Sequence, residues 1–180
     1  MEQFTICKEG KQSITSKYGY RIRPRWKLDF TEKHPEQFNA FSEGLDINNS
    51  KSRNAFFEKV KGIIPNIKIE EIFQYHSGVD LVTSSKNKDL IAPFDGVVTQ
   101  VFEDELNGKY FKISCLVKGI GWIFSVCHCE NVLVKISDKV KKGDVIAVMG
   151  ATGKTVTGVH AHVTMRRKIA IVDPQSYYNF

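Results

Sequence analysis

The chain has 180 residues, of which 42% are hydrophobic and 26% are charged. This length and composition favour one well-buried core and exclude a disordered chain. The formal net charge of +6 predicts a basic surface, which favours polyanionic partners such as nucleic acid, an anionic membrane face or an acidic cell wall. No arginine-rich arm or aromatic RNA-binding signature accompanies the clustered Lys139, Lys141 and Lys142, so we expect no nucleic-acid partner.

The first 75 residues predict one strand and one helix. Ser13–Arg23 has the pattern of a strand, and the stretch after it is polar and rich in aromatic residues with little alternation. Lys51–Gly62 carries two phenylalanines and a valine at helical spacing, with Ser50 or Ser52 as its cap and Gly62 as its stop. Because no strong linker follows, we expect this region to decorate one domain rather than to form a second one.

From Leu90 onward the sequence predicts short strands separated by turns, which indicates an all-β architecture. The predicted strand regions are 90–102 with a turn at 95–96, 110–117, 122–129, 139–149, 159–165 and 168–172.

Four of the five histidines lie in three short segments, which is the most informative pattern in the chain. His76 and Asp80 belong to one segment, His128 to the second, and His160 and His162 to the third. Imidazole and carboxylate are the usual ligands of a catalytic zinc ion, which keeps three protein ligands and an open position for water. Each pair alone is more typical of a strand face or a turn, but their combination favours a hydrolytic zinc site.

The spacing within these segments predicts a shared face. Residues at even separations along an extended strand point to the same side, so His160 and His162 project together. His76 and Asp80 are four positions apart and meet the same condition, with Gly78 between them. We expect this glycine to leave space that a metal ion needs.

The four cysteines predict buried free thiols. Cys127 and Cys129 flank His128 and on a regular strand share the face opposite it. A Cys-x-Cys pair needs a second pair to form a zinc knuckle, and Cys7 and Cys115 are distant in sequence. Free thiols are consistent with synthesis in a reducing compartment.

The chain resembles the lysostaphin/LytM-type zinc endopeptidases of peptidoglycan, in the order and spacing of its motifs from Tyr75 to Phe180. The strand at 14–21 also resembles the strand that precedes the first motif in that family. The resemblance therefore implies a single metallopeptidase domain over 1–180, with 24–74 as an insertion within it. The segments that carry the resemblance are 76–80, 91–98, 126–128, 140–146 and 160–162.

The resemblance implies a fold, a cofactor and residue roles. The expected fold is mainly all-β, an antiparallel sheet core like a barrel-sandwich hybrid, with a partly helical insertion before the first zinc motif. One Zn²⁺ per chain would be held by His76, Asp80 and His162, while His128 and His160 face water and substrate. In this hypothesis His160 is the general base and His128 orients the water or stabilises the oxyanion, and the two roles are open to exchange. The implied substrate is the peptide part of peptidoglycan.

Two departures from the family pattern bear on substrate preference and groove packing. Val126 stands where the family usually has tyrosine, two residues before the middle histidine. The closing segment reads His-Ala-His-Val-Thr over 160–164, where His-Leu-His-Phe-Glu is common. Neither departure removes a metal ligand or a catalytic histidine that the resemblance implies.

Two alternative functions come from other classes. A catalytically silent wall-binding or scaffold domain of the same fold would share all these motifs. A biotinyl or lipoyl carrier domain would share the hairpins at 92–98 and 139–146, but its exposed lysine in a tight hairpin is missing. The carrier interpretation also leaves the histidines without a role.

The expected place of action is the bacterial cell wall. The first residues have no cationic stretch followed by an apolar run, so the sequence predicts no secretory signal. No segment approaches about 18 consecutive apolar residues, so we expect no membrane span and no membrane partner. We therefore expect synthesis in the cytoplasm and delivery to the wall by another route. A phage or prophage origin would provide such a route.

Overall fold

A computed structural model of the protein describes residues 5–154 and 156–177, which fall into two compact units. The sheet unit contains the chain up to Tyr18 and again from Ser77 onward, and the helical unit contains Gly19–His76. In chain order the strands are β1 Gln12–Ser16, β2 Gly19–Ile22, β3 Phe73–His76, β4 Val79–Thr83, β5 Asp89–Ile91, β6 Gly96–Asp104, β7 Gly108–Val117, β8 Ile120–Val132, β9 Lys139–Val140, β10 Val145–Met149, β11 Ala161–Arg167 and β12 Ala170–Val172. The helices are α1 Pro24–Lys33, α2 Pro35–Ser42, α3 Ser50–Lys61 and α4 Ile69–Ile72, with a short 3₁₀ turn at Pro174–Ser176.

The sheet unit is built on one large antiparallel sheet, and the all-β prediction is confirmed. Its main strand order is β1-β4-β11-β8-β7-β6-β9, while β10 pairs with both β5 and β8, and β12 pairs with β11. Each of the predicted strand regions from Leu90 onward overlaps at least one of these strands. Strand β11 pairs with both β4 and β8. Strand β4 carries Asp80 of the first histidine segment, β8 carries His128 of the middle segment, and β11 carries His162 of the last.

The single strand predicted over Ser13–Arg23 is wrong. It forms two strands that join different sheets, since β1 pairs with β4 and β2 pairs with β3. The break falls at Gly19, whose φ of +106° is outside the extended region and is open to glycine. A Cβ at this position would lie 2.7 Å from the side-chain oxygen of Asn48, so the close approach also requires glycine.

Alternation along the central strands separates a core face from an open face. Phe111 and Ile113 in β7, Phe124 in β8, and Val163 and Met165 in β11 are all buried in one hydrophobic cluster. Residues between them in sequence point to the other side of the sheet, because side chains alternate along a strand. Burial of these core side chains contributes about 1.5–3 kcal/mol each. The core therefore fixes which residues face outward.

The helical unit packs around its own aromatic core. Proline at the first position begins both α1 and α2, where a missing N–H is harmless and the fixed φ suits a helix. Six buried residues form the core, and Phe56 is 2% exposed at its centre. The core residues are Phe30, Phe38, Phe56, Val60, Ile72 and Phe73.

The helix predicted over Lys51–Gly62 is confirmed as α3, but its predicted cap is wrong. The side chain of Asn49 accepts hydrogen bonds from the backbone N–H groups of Lys51 and Ser52. Asn49 is therefore the cap, in place of either serine, because its carboxamide oxygen reaches two of the first free N–H groups. Gly62 ends the helix as expected.

A mainly helical segment precedes the first histidine motif, as expected for the fold class. The stronger statement, that 24–74 is an insertion within one domain, stays a prediction. None of the helices in the described part of the chain is long and apolar enough to cross a membrane.

Candidate active site

The first and last histidine segments meet because β4 and β11 are neighbours in the sheet. His76 ends β3, and the chain turns through Ser77 and Gly78 before β4 begins. In the antiparallel register His162 of β11 lies opposite Asp80 of β4. The potential ligand atoms of His76, Asp80 and His162 all lie within 4.8 Å of one another.

Gly78 permits this meeting for a reason that differs from the expected one. A Cβ on Gly78 would lie 2.2 Å from the carbonyl oxygen of Val163 and 2.9 Å from the Cγ2 of Thr164. Real Cβ contacts do not reach such distances. The space that glycine leaves is therefore occupied by the backbone of β11, and the expectation that it leaves room for a metal ion is corrected.

The donor set fits a zinc ion. Asp80 accepts a hydrogen bond at 2.9 Å from Nδ1 of His162, and its side chain is 14% exposed. His76 is buried at 6% exposure. Two ligand atoms of a tetrahedral zinc site lie about 3.3 Å apart when their bonds are roughly 2.0–2.1 Å long. Two imidazoles and a carboxylate within 4.8 Å thus match both the chemistry and the scale of such a site.

His128 reaches the same place from β8 through an irregular backbone. Its φ is +69°, a left-handed conformation that histidine adopts more readily than most residues. Its backbone N–H donates to the carbonyl of Asn107 at 2.9 Å. The His128 ring lies 4.9 Å from the ring of His160 and 5.9 Å from the ring of His162, measured between centroids.

The left-handed residue breaks the alternation that was expected around it. Cys129 is fully buried in the hydrophobic core, whereas Cys127 lines a groove together with His162. The prediction that Cys127 and Cys129 share the face opposite His128 is therefore wrong. The cause is the positive φ at His128, which rotates the strand between the two thiols.

His128 and His160 are held in the same tautomer. Nδ1 of His128 lies 2.9 Å from the carbonyl oxygen of Thr152, and Nδ1 of His160 lies 2.8 Å from that of Gly158. A carbonyl oxygen only accepts, so Nδ1 carries the proton in both rings and Nε2 is left as an acceptor. Nε2 of His160 lies 3.7 Å from a carboxylate oxygen of Asp80, which places it beside the candidate ligands.

Burial lowers the pKa of His128 below its ordinary value. Desolvation is the largest cause, and the nearby His160 and His162 act in the same direction. The hydrogen bond to Thr152 and the carboxylate of Asp80 oppose this shift. His128 is therefore neutral near pH 7 and able to accept a proton.

Comparison with known proteins identifies the family. Residues 74–174, more than half of the chain, match Peptidase family M23. The chain belongs to peptidase family M23. It is 34% identical over 87 residues to the peptidoglycan DD-endopeptidase ShyC of Vibrio cholerae, a match that covers 48% of this chain and 19% of that protein. The chain thus spans about a fifth of the length of this curated relative.

Two solved structures have a similar fold over more than half of the chain. LytU is 32% identical with a TM-score of 0.50, covering 58% of this chain and 72% of the LytU chain. A chain of the SpoIIQ-SpoIIIAH pore forming complex is 21% identical with a TM-score of 0.50, covering 63% of this chain and 78% of that chain, and indicates the fold alone.

Two residues that support His128 in this M23 chain were missed by sequence reasoning. The hydroxyl of Thr152 donates to the carbonyl of Cys129 at 2.8 Å and accepts from the backbone N–H of Lys109 at 2.9 Å. Asn107, which accepts from the His128 N–H, is held by hydrogen bonds to Asp104. The Asn-Gly turn at 107–108 was a usable signal, whereas nothing in the spacing of Thr152 indicated its role.

A groove of about 330 Å³ extends along the open face of the sheet from His162. The groove is lined entirely by residues of the sheet unit and contains one of the candidate metal ligands. Its lining residues are Ser77, Asn107, Tyr110, Lys112, Ile123, Ser125, Cys127, His162, Thr164 and Arg166.

Proposed function

We propose that this M23 chain is a zinc-dependent endopeptidase that hydrolyses peptide bonds of bacterial peptidoglycan, in the stem or the cross-bridge. The observation that carries the proposal is the convergence of His76, Asp80 and His162 within 4.8 Å, with the rings of His128 and His160 beside them. The family assignment and the name of its Vibrio relative support the substrate class.

His76, Asp80 and His162 would hold the zinc ion. When bound there, zinc supplies a Lewis acid that activates water and polarises the scissile carbonyl. The Asp80 carboxylate would lower the net charge of the centre, and its oxygen already lies 2.9 Å from Nδ1 of His162. These three side chains account for binding, and proton transfer is left to the two remaining histidines.

His160 is the residue we assign as general base. Its Nε2 has a free lone pair because Nδ1–H donates to Gly158, so it accepts a proton from water without a change of tautomer. This Nε2 lies 3.7 Å from a carboxylate oxygen of Asp80, which places it beside the candidate metal ligands. The Gly158 carbonyl fixes the orientation of the ring during this step.

His128 acts on the same water or on the oxyanion. Its Nε2 accepts a hydrogen bond while the ring is neutral, and it donates one when the ring is protonated. Burial lowers its pKa, so His128 is neutral and accepts the hydrogen bond, and the proton that His160 takes from water is the one returned to the leaving amine.

Metal analysis and muropeptide mass spectrometry test the proposal together. We expect one zinc ion per purified chain, loss of zinc in His162→Ala, and new muropeptides after digestion of peptidoglycan by the zinc-loaded protein. His160→Ala should keep its zinc and lose most of the activity. Digestion by His160→Ala at the wild-type rate would show that the general-base assignment is wrong. A zinc-loaded wild type that releases no muropeptide would favour a silent scaffold domain.

A further inference from the structure

The open face of the sheet carries two ordered rows of side chains beyond the candidate metal ligands. In the first row Lys112 of β7 lies opposite Ser125 of β8, and Ser125 lies opposite Thr164 of β11. In the next row Arg166 of β11 lies opposite Ile123 of β8. Thr164 and Arg166 are two and four residues from His162 along β11, so all three face the same side of the sheet. The residues that lie in the rows of Thr164 and Arg166 face that side as well.

The register gives approximate distances from the metal ligands. A strand rises about 3.4 Å per residue, so Arg166 is about 13–14 Å from His162 along β11. Lys112 is one row away and two strands across, which places its Cα about 12 Å from His162 when strands are about 4.8 Å apart. An extended peptide that begins at the metal ligands reaches either position after about four residues.

The groove lining has two cationic side chains and no carboxylate, while the nearby Asp104 carboxylate is hydrogen-bonded to Asn107 of the lining at 2.8 Å. The lining contains Lys112 and Arg166 but neither aspartate nor glutamate. Among the described residues, 5–154 and 156–177, neither Lys112 nor Arg166 has a carboxylate partner. By contrast, the exposed Lys141 pairs with Asp95 at 2.9 Å. The groove therefore presents two positive charges to whatever enters it.

Lys112 is also held in position. Its ammonium group lies 5.7 Å from the ring centroid of Tyr110, and the Tyr110 hydroxyl accepts a hydrogen bond from Gln100 at 3.1 Å. The half-buried stem of Lys112 thus rests along the groove while its charge stays available. Arg166 is exposed and presents the planar donor pattern that matches a carboxylate with two hydrogen bonds.

We infer that this groove selects an acidic peptide, with Lys112 and Arg166 binding free carboxylates about 12–14 Å from the candidate metal ligands. This inference rests on the proposed function and names the substrate class of the same site. Neither side chain contacts the reacting atoms, so both act on specificity. A peptide whose carboxylates are amidated loses these contacts and should be a poorer substrate by about tenfold in kcat/KM, which is typical for one lost charged hydrogen bond.

Paired peptides test the inference. The zinc-loaded full chain is given two peptidoglycan-derived peptides that differ in one respect, free carboxylates in one and carboxamides in the other, and kcat/KM is measured for each. We expect the wild type to prefer the acidic peptide by about tenfold, and this preference should fall as salt is added. In Arg166→Gln and in Lys112→Gln the preference should shrink severalfold, with little change for the amidated peptide.

Arg167→Gln is the matched control. Arg167 is adjacent in sequence but does not line the groove, and its guanidinium lies 5.9 Å from the ring of Trp122. This variant loses the same charge and should keep the wild-type preference. Equal kcat/KM for both peptides in the wild type, or an unchanged ratio in Arg166→Gln and Lys112→Gln, would overturn the inference.

A binding measurement separates this inference from the proposed function. Calorimetric titration of the acidic peptide into wild type, Arg166→Gln and Arg167→Gln needs no turnover. If no peptide is cleaved by the zinc-loaded wild type, the proposed function fails, but binding that weakens severalfold in Arg166→Gln and not in Arg167→Gln still supports the acidic-peptide site. Equal affinity of all three proteins, or no binding by any, would exclude that site.

Discussion

The Thr152 hydroxyl joins two strands beneath His128, and its removal should weaken both stability and catalysis. In Thr152→Val the side chain keeps nearly the same shape but loses the hydrogen bonds to Cys129 and from Lys109. Each bond contributes about 0.5–1.5 kcal/mol, so the free energy of unfolding should fall by about 1–3 kcal/mol. With an m-value of about 2 kcal/mol/M, the urea midpoint should fall by roughly 1 M.

Thr152→Ser is the matched control because it keeps the hydroxyl. Urea unfolding should place it close to the wild type and well above Thr152→Val. Zinc content should be equal in all three proteins, since Thr152 is a positioning residue that acts through His128. We expect kcat to fall more than KM changes in Thr152→Val. Equal urea midpoints for Thr152→Val and wild type, or equal losses in both variants, would refute the reasoning.

Three further predictions concern other parts of the chain. Gly78→Ala should destabilise the protein by about 1–3 kcal/mol in urea unfolding and weaken zinc binding, because the new Cβ would lie 2.2 Å from the carbonyl oxygen of Val163. Gly121 has open space around it, so Gly121→Ala should change neither stability nor zinc binding. Phe56→Ala should reduce the stability of the helical unit by about 3–5 kcal/mol, measured by hydrogen exchange of α3 amides, and unchanged exchange would contradict the packing. Burial raises the pKa of Cys129 from 9.0 to about 12, so the unfolded thiol ionises first and stability falls as pH rises above 9. Between pH 8 and 10 the wild type should lose about 1.4 kcal/mol more than Cys129→Ala, and parallel losses would exclude this cause.

The sheet was predictable because its strands have clear patterns. Apolar residues alternate through β7, β8 and β11, and turn residues separate these strands. The alternation and the turn signals therefore predict the same elements. The helices α1 and α2 were not predicted. Pro24 and Pro35 each stand at the first position of a helix, where proline is favoured, but the polar stretch around them shows little periodicity.

The candidate site was predictable as a set of side chains but not as a supporting framework. Even spacing indicated that His160 and His162 share a face, and the structure places both beside Asp80. The supports of His128 act mostly through backbone groups, namely the carbonyls of Thr152 and Asn107. Carbonyls are present at every residue, so no residue type marks which of them will accept a bond. The roles of the five site residues stay a prediction.

The left-handed residue in β8 has a consequence for anyone who compares or redesigns this strand. Before His128 the even-numbered Phe124 and Val126 point into the core, and after it the odd-numbered Cys129 does. The inward-facing residues therefore switch from even to odd numbers at His128. Inward and outward positions must be counted separately before and after this residue. A pattern carried straight through from one end would place an apolar side chain in water and a polar one among the aromatic rings.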